Sequence, residues 1–227
     1  MIRDALEKHG VADNTIIIYT SDNGFMCGSH GYGSKVLPYE EASRVPLIIF
    51  DPRSETSGKE LRSAALTCNI DIAPTLLAIA GVAAPADMDG KNLMKLYEDP
   101  SETLHDSIAL VNVWGPKQAH CLSVVTQDFK YINWSYAGET FEATEELYHL
   151  REDPLELQNL AQHEGIVLEQ MRSAYDFHVR KWQDETVSYN HYQEYGTIFD
   201  RSVAWEQKEN LYLKTKWPMK TKKKKKK

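Results

Sequence analysis

Four side chains within fourteen residues hold the materials of an anion- and metal-handling site: Asp22, Asn23, His30 and Lys35. Asp22 and Asn23 stand side by side directly after the apolar run Thr15-Ile16-Ile17-Ile18-Tyr19-Thr20 and just before Gly24. Both offer oxygen, which suits a hard divalent cation such as Ca²⁺ or Mg²⁺. Lys35 is a mobile point charge suited to a tetrahedral oxyanion, and His30 can donate to an anion or to a leaving oxygen. On Ser21-Asp22-Asn23-Gly24 alone, a strand-to-loop turn without a ligand is the simpler reading, because short motifs match by chance. The stretch that follows shifts the balance. Gly28, Gly31 and Gly33 fall before Lys35 with no regular apolar period, which describes a loop whose backbone can come close to a bound group.

These residues need elements to hold them. Residues 15–20 and 45–50 read as buried strands of the parallel type, and Asn and Gly at 23–24 end the first in a turn at the strand edge where open α/β sheets place ligands. Two strands alone would leave a bare hydrophobic edge, so the sheet calls for further strands. Ile70–Ala80 reads as a helix with Asp71 as its cap, Pro74 in its first turn and Gly81 as its stop. Residues 82–106 are a connection with a turn at Met88-Asp89-Gly90. An antiparallel subdomain follows: Ser107–Trp114, Cys121–Thr126, Phe129–Trp134 and Glu146–Leu150 read as strands, with a tight turn at Gln127-Asp128. Tyr131, Trp134 and Trp114 read as core or hairpin packing rather than sugar platforms, and His120 as a surface residue. Residues 163–187 form a long amphipathic helix through Ile166, Leu168, Met171, Tyr175, Val179 and Trp182. Residues 188–217, rich in Tyr and Trp but without period, read as a wrapping tail.

The blocks "NTIIIYTSDNG", "GSHGYGSK", "YEEASRVPLIIFDPR", "NIDIAPTLLAIAG" and "ELYHLREDPLELQNLA" resemble, in this order and spacing, the sulfatase family of the alkaline-phosphatase-like superfamily. The resemblance runs from about Leu6 to about Ala161 and is to the C-terminal half of a sulfatase. It implies an α/β fold: the C-terminal part of a mixed sheet with flanking helices, plus a small four-stranded antiparallel subdomain with a long helix. It divides the chain into residues 1–100 of the main α/β domain, a 101–190 subdomain of sheet and helix, and a 191–227 tail with a lysine-rich end. It implies that Asp22 and Asn23 hold part of a divalent metal site, usually Ca²⁺ with Mg²⁺ as the other candidate, and that Lys35 contacts the sulfate. It further implies that His30 lies near the substrate. Many family members carry Glu before this His, where Ser29 stands here.

Sulfatases use a formylglycine nucleophile made from a Cys or Ser in a Cys/Ser-x-Pro-x-Arg motif. None of Cys27, Cys68 and Cys121 has that context, and no Ser fits it. Two metal ligands from one strand end also fall short of the ~6–8 oxygens that Ca²⁺ takes. Formylglycine and the remaining ligands are therefore expected in a missing N-terminal half. The chain reads as a truncated product, an incomplete gene model or one part of a split protein, inactive alone. The implied substrate is a sulfated carbohydrate or other sulfate ester. Two alternatives stay open: a phosphodiester or phosphonate hydrolase of the same superfamily, in which His often replaces Asn23, and a non-catalytic pseudoenzyme or interaction fragment.

The 227 residues carry a net charge of −7, but nine of the 26 basic residues are lysines within 214–227. The remaining 17 face 33 acidic residues, a balance near −16, which argues against nucleic acid as the main partner. The run Lys222–Lys227 is expected to be solvated. Three cysteines make no disulfide framework; Cys68 and Cys121 read as buried or half-buried free thiols. No run reaches the ~18–20 apolar residues of a membrane helix, so no membrane partner is expected. No signal peptide is visible; the family points to periplasm, lysosome or exterior.

Overall fold

The computed structural model describes residues 1–137, 144–163, 165–189 and 191–214; the lysine-rich end expected to be solvated lies outside them. The chain opens with helix α1 (Ile2–Lys8), followed by β1 (Ile17–Tyr19), the short hairpin β2 (Met26–Cys27) and β3 (Gly33–Ser34), the one-turn helix α2 (Glu40–Ser43) and β4 (Ile48–Phe50). Helices α3 (Ile72–Ile79) and α4 (Lys95–Glu98) lead into β5 (Ile108–Asn112), β6 (Cys121–Val125), β7 (Phe129–Trp134) and β8 (Glu145–His149). Helices α5 (Gly165–Glu185), α6 (Tyr192–Phe199) and α7 (Trp205–Lys214) complete it. This is a mixed α/β fold, as the sequence implies.

The first two apolar runs depart from the parallel expectation. β1 and β4 pair antiparallel, with Ile17 opposite Phe50 and Tyr19 opposite Ile48. Parallel neighbours need a long crossover, usually a helix, and these strands are joined through nothing longer than the four-residue α2 and a single 3-10 turn at Ser29–Gly31. The pair also has an open face: Tyr19 is 61% and Ile48 59% exposed. An apolar run alone does not specify strand direction.

The four-stranded antiparallel sheet β5-β6-β7-β8 forms in the expected order, and it is covered on both faces. Register places Leu122, Val124, Tyr131 and Leu147 on one face, where they pack with Leu168, Met171, Tyr175 and Val179 of α5 and Tyr195, Ile198 and Phe199 of α6. The opposite face offers Cys121, Ile132, Trp134 and Tyr148, which pack with Met26, Tyr39 and Ala42. All five residues of β6 are therefore buried, where a one-sided sheet would alternate. Burial of each large side chain contributes about 1.5–3 kcal/mol. Residues 192–199, read as irregular tail, are thus a helix in the core. Residues 205–214 are also helical.

Between the loop segment and the sheet lies a buried ionic seam. Lys130 Nζ sits 2.8 Å from Glu40 Oε1 and 2.8 Å from Glu156 Oε1, and the Glu40 N–H donates to Glu156 Oε2 at 2.6 Å. The side chains of Lys130 and Glu156 are wholly buried. Burial pushes the Glu156 carboxyl up against the opposing pull of Lys130. Tyr39 adds a hydroxyl donated to Glu146 Oε2 at 3.1 Å.

Asp71 is a cap, but of the turn before α3. Its carboxylate accepts the Cys68 N–H at 2.8 Å and the Lys91 N–H at 2.7 Å, with His105 Nε2 at 3.0 Å. The α3 N-terminus itself receives no side-chain bond. Pro74 lies buried in its first turn and Gly81 follows its end at φ +70°.

Candidate functional site

The turn after β1 is held by its own side chains. Ser21 Oγ donates to the Asn23 carbonyl at 2.8 Å, and the Asn23 N–H donates to Asp22 Oδ1 at 3.0 Å. Asn69 Nδ2 donates to the Asp22 carbonyl at 2.9 Å, tying the turn to the segment before α3. Gly24 donates its N–H to the Ala42 carbonyl at 2.9 Å. A Cβ at Gly24 would lie 2.0 Å from the Glu41 carbonyl oxygen, so only glycine lets the two backbones approach this closely.

The hairpin β2–β3 then brings Lys35 back to the turn. Met26 pairs with Ser34 and Cys27 with Gly33, and fully buried Met26 anchors the hairpin against the small sheet. Asn23 Nδ2 donates to the Gly24 carbonyl at 2.7 Å, which fixes the amide so that Oδ1 meets Lys35 Nζ at 2.9 Å. Asp22 and Lys35 are both exposed. Ser34, the residue before Lys35, has φ +86°, a conformation that costs a non-glycine residue about 1–3 kcal/mol and clusters at functional sites. Asn23 and Lys35 therefore meet, although they lie twelve positions apart, with Asp22 next to Asn23 in the turn. Asp22 and Asn23 offer only oxygen and are partly open to solvent, which fits a hard cation such as Ca²⁺ or Mg²⁺. They supply two protein ligands, so other oxygens must complete the shell.

His30 faces elsewhere. Its ring stacks on Tyr39 with centroids 3.9 Å apart and planes 10° apart, and Nε2 is buried without a hydrogen-bond partner. One ligand atom from each of His30, Glu41 and Glu156 lies within 4.8 Å of the others. The imidazole thus packs against the ionic seam, and a substrate contact through Nε2 requires the ring to turn. Its backbone, at φ +54°, is in the left-handed region.

A second titratable group joins Cys68, Asp71 and His105. The Asp71 oxygens are saturated by the bonds described above. Burial and the Asp71 charge push the Cys68 thiol up to about 12, and the group braces the turn before α3 through the Asp71 cap. All three cysteines are free: Cys121 buried, Cys68 half-buried and Cys27 exposed in the candidate loop. His120, expected at the surface, is buried, with Gly115 O 3.3 Å from Nε2 and Tyr195 Oη 3.2 Å from Nδ1. Burial lowers its pKa.

Sequence reasoning missed the seam of Lys130, Glu40 and Glu156. One signal was available: Lys130 stands between Phe129 and Tyr131 on a strand with Ile132 two residues on, so alternation puts a lysine on an apolar face. Trp114, read as packing, is 58% exposed as a residue and is not without a contact partner.

Residues 28–176 match the family described as N-sulphoglucosamine sulphohydrolase, C-terminal. The chain is 38% identical over 161 residues to an N-acetylglucosamine-6-O-sulfatase of Bacteroides thetaiotaomicron, covering 68% of this chain and 28% of that protein. It is 35% identical over 157 residues to an arylsulfatase of Clostridium perfringens, covering 69% and 31%. A solved structure of a protein with its substrate D-glucosamine-2-N,6-O-disulfate superposes with a TM-score of 0.67 at 32% identity, covering 82% of this chain and 38% of that one. The chain spans about three-tenths of the length of the curated relatives it matches.

Proposed function

Because this chain belongs to the sulfatase family, we propose that it forms the C-terminal part of a sulfuric ester hydrolase acting on a sulfated sugar. In this reading Asp22 and Asn23 supply two oxygens to a divalent cation, Ca²⁺ first and Mg²⁺ second, and Lys35 holds the sulfate. The observation that carries it is the 2.9 Å contact of Lys35 Nζ with Asn23 Oδ1 beside an exposed Asp22. An oxyanion-binding ammonium is thereby set against the two metal-ligand candidates.

A cation held there would draw charge from the sulfate oxygens and help the sulfur accept a nucleophile. The chain's own residues bind and orient. Lys35 pairs with an anionic oxygen, Asp22 and Asn23 fix the distance of the anion from the turn, and the Lys130 seam keeps the loop in register with the small sheet. No Cys or Ser here has the formylglycine context, so the nucleophile and the remaining metal ligands come from a complementary N-terminal segment, and this chain alone turns nothing over. The exposed Tyr19–Ile48 pair provides apolar surface for that segment. The sugar class follows from the names of the relatives. Asn23 in place of the His common in phosphonate hydrolases favours a sulfate over a phosphate ester.

Co-expression of this chain with an N-terminal sulfatase segment carrying Cys/Ser-x-Pro-x-Arg tests the proposal. Hydrolysis of N-acetylglucosamine 6-sulfate and of an aryl sulfate, with aryl phosphate at least a hundredfold slower, is expected. Preference for the phosphate would move the assignment to a phosphoester hydrolase. A complex that folds and cleaves neither ester would favour a non-catalytic role.

A further inference from the structure

Three buried polar atoms converge beside the Lys130 seam without hydrogen-bond partners: His30 Nε2, Glu41 Oε2 and Glu156 Oε1. They come from three separate segments. His30 lies in the loop between β2 and β3, Glu41 in α2, and Glu156 in the turn after β8. One ligand atom from each lies within 4.8 Å of the other two. The parallel stack on Tyr39 holds the His30 ring in place. Glu156 is only 1% exposed. Its Oε1 has the Lys130 ammonium at 2.8 Å, an ion pair that leaves the oxygen without a directed hydrogen bond. Buried polar groups are ordinarily bonded, so three unbonded ones at one point call for a common partner.

The charge around this point calls for a cation. Glu40, Glu41 and Glu156 bring three carboxylates, and the buried cation among them is Lys130. Arg44 reaches Glu40 at 3.5 Å, but three-quarters of its side chain is in water. The donor set is one imidazole nitrogen and two carboxylate oxygens. Imidazole suits Zn²⁺ and other transition metals, whereas Ca²⁺ and Mg²⁺ take oxygen. Bonds of about 2.0–2.2 Å to nitrogen and oxygen reach one ion from this spacing after the side chains close by about 1 Å. A carboxylate oxygen has lone pairs for an ammonium and a metal together, so Lys130 can stay in place.

We propose that His30, Glu41 and Glu156 bind one Zn²⁺ ion, which pins the β2–β3 hairpin and α2 to the turn after β8. Three protein ligands with water in a fourth position complete a tetrahedral shell. His30 is then a metal ligand rather than a substrate contact. The site is distinct from Asp22 and Asn23 in residues and in chemistry, and it does not depend on what Lys35 binds. Its effect on the candidate site is mechanical, because the pinned hairpin carries Lys35.

Isothermal titration of the full chain with Zn²⁺, in buffer containing Ca²⁺ to occupy oxygen-only sites, tests the proposal. One Zn²⁺ per chain is expected, with the His30 Nε2 resonance shifted in nitrogen-detected NMR. Glu41→Gln keeps the shape of a half-buried side chain, and His30→Asn keeps a residue that tolerates the left-handed backbone. Each should bind Zn²⁺ at least tenfold more weakly, while Cys27→Ser binds as the wild type does. Circular dichroism checks that the variants fold, and Glu41→Gln alone decides if His30→Asn does not. A wild type that binds no Zn²⁺ overturns the site, as does wild-type affinity in either folded variant. Zn²⁺ binding that Cys27→Ser or Asp22→Ala abolishes belongs to another site and also overturns it.

Discussion

Lys35 Nζ donates to Asn23 Oδ1 across 2.9 Å, so the ammonium occupies the very oxygen that a metal ion would take. The two cations compete for one lone-pair direction. A divalent ion held by Asp22 and Asn23 would displace the lysine, which would then be placed to meet an anion. Metal binding and sulfate binding are therefore expected to reinforce one another.

That relationship separates two variants. Asp22→Ala removes a charged ligand and should weaken Ca²⁺ binding at least tenfold by isothermal titration. Lys35→Ala removes the competitor and should leave Ca²⁺ binding as strong as in the wild type or stronger, while sulfate binding falls. A Lys35→Ala variant that loses Ca²⁺ binding would show that the lysine builds the turn rather than competing at it.

The Lys130 seam makes a stability prediction. Removing one partner of a buried ion pair leaves an uncompensated charge, at a cost of about 3–5 kcal/mol. Lys130→Met should lower the urea midpoint accordingly, and Glu156→Gln should do so by less, because burial already pushes that carboxyl toward its neutral form. A change below about 1 kcal/mol in Lys130→Met would mean that the seam is solvated in solution.

Much of this fold could be read from the sequence, for physical reasons that differ by element. The small sheet was legible because its strands are short, apolar and separated by turn residues, and α5 because its apolar residues recur at helical spacing. Asp22, Asn23 and Lys35 were legible as chemistry, but their meeting depends on the β2–β3 hairpin, whose strands have two residues each and no pattern to detect. The antiparallel pairing of β1 and β4 was hidden because an apolar run records burial and not direction. Tyr195, Ile198 and Phe199 of α6 were hidden because a Tyr-rich segment resembles a tail until a sheet face is known to need covering. The burial of Lys130 went unread and His120 was placed at the surface, because the burial of each depends on partners distant in sequence: Glu156 for one, Tyr195 for the other.

Stability should depend on pH through two histidines. Burial lowers the folded pKa of His120, and burial with the nearby Lys181 charge lowers that of His178. Each folded imidazole therefore resists a proton that the unfolded chain accepts below about pH 6.5. The unfolded state then binds more protons, so stability rises with pH across this window and is lost as pH falls, by up to about 1.4 kcal/mol per pH unit for each proton. Urea melts at pH 5.5 and 8 should show this loss, and His120→Gln should show a smaller one. An identical pH dependence in the variant would contradict the buried placement of His120.

The cysteines provide a check on the packing. Cys27 is exposed, Cys121 is buried, and the Cys68 thiol is pushed up to about 12. Reaction with a thiol-specific disulfide reagent at pH 8 should modify one thiol rapidly and the other two only in denaturant, since the thiolate is the reacting form. Rapid modification of all three would mean that the seam between loop and sheet is open.

The most direct measurement is a crystal structure of this chain grown with Ca²⁺ and a sulfate ester. The account predicts an ion about 2.3–2.6 Å from oxygens of Asp22 and Asn23, with Lys35 Nζ moved from Asn23 Oδ1 onto a sulfate oxygen. An ion bound elsewhere, with Lys35 still on Asn23 and the sulfate away from both, would contradict it.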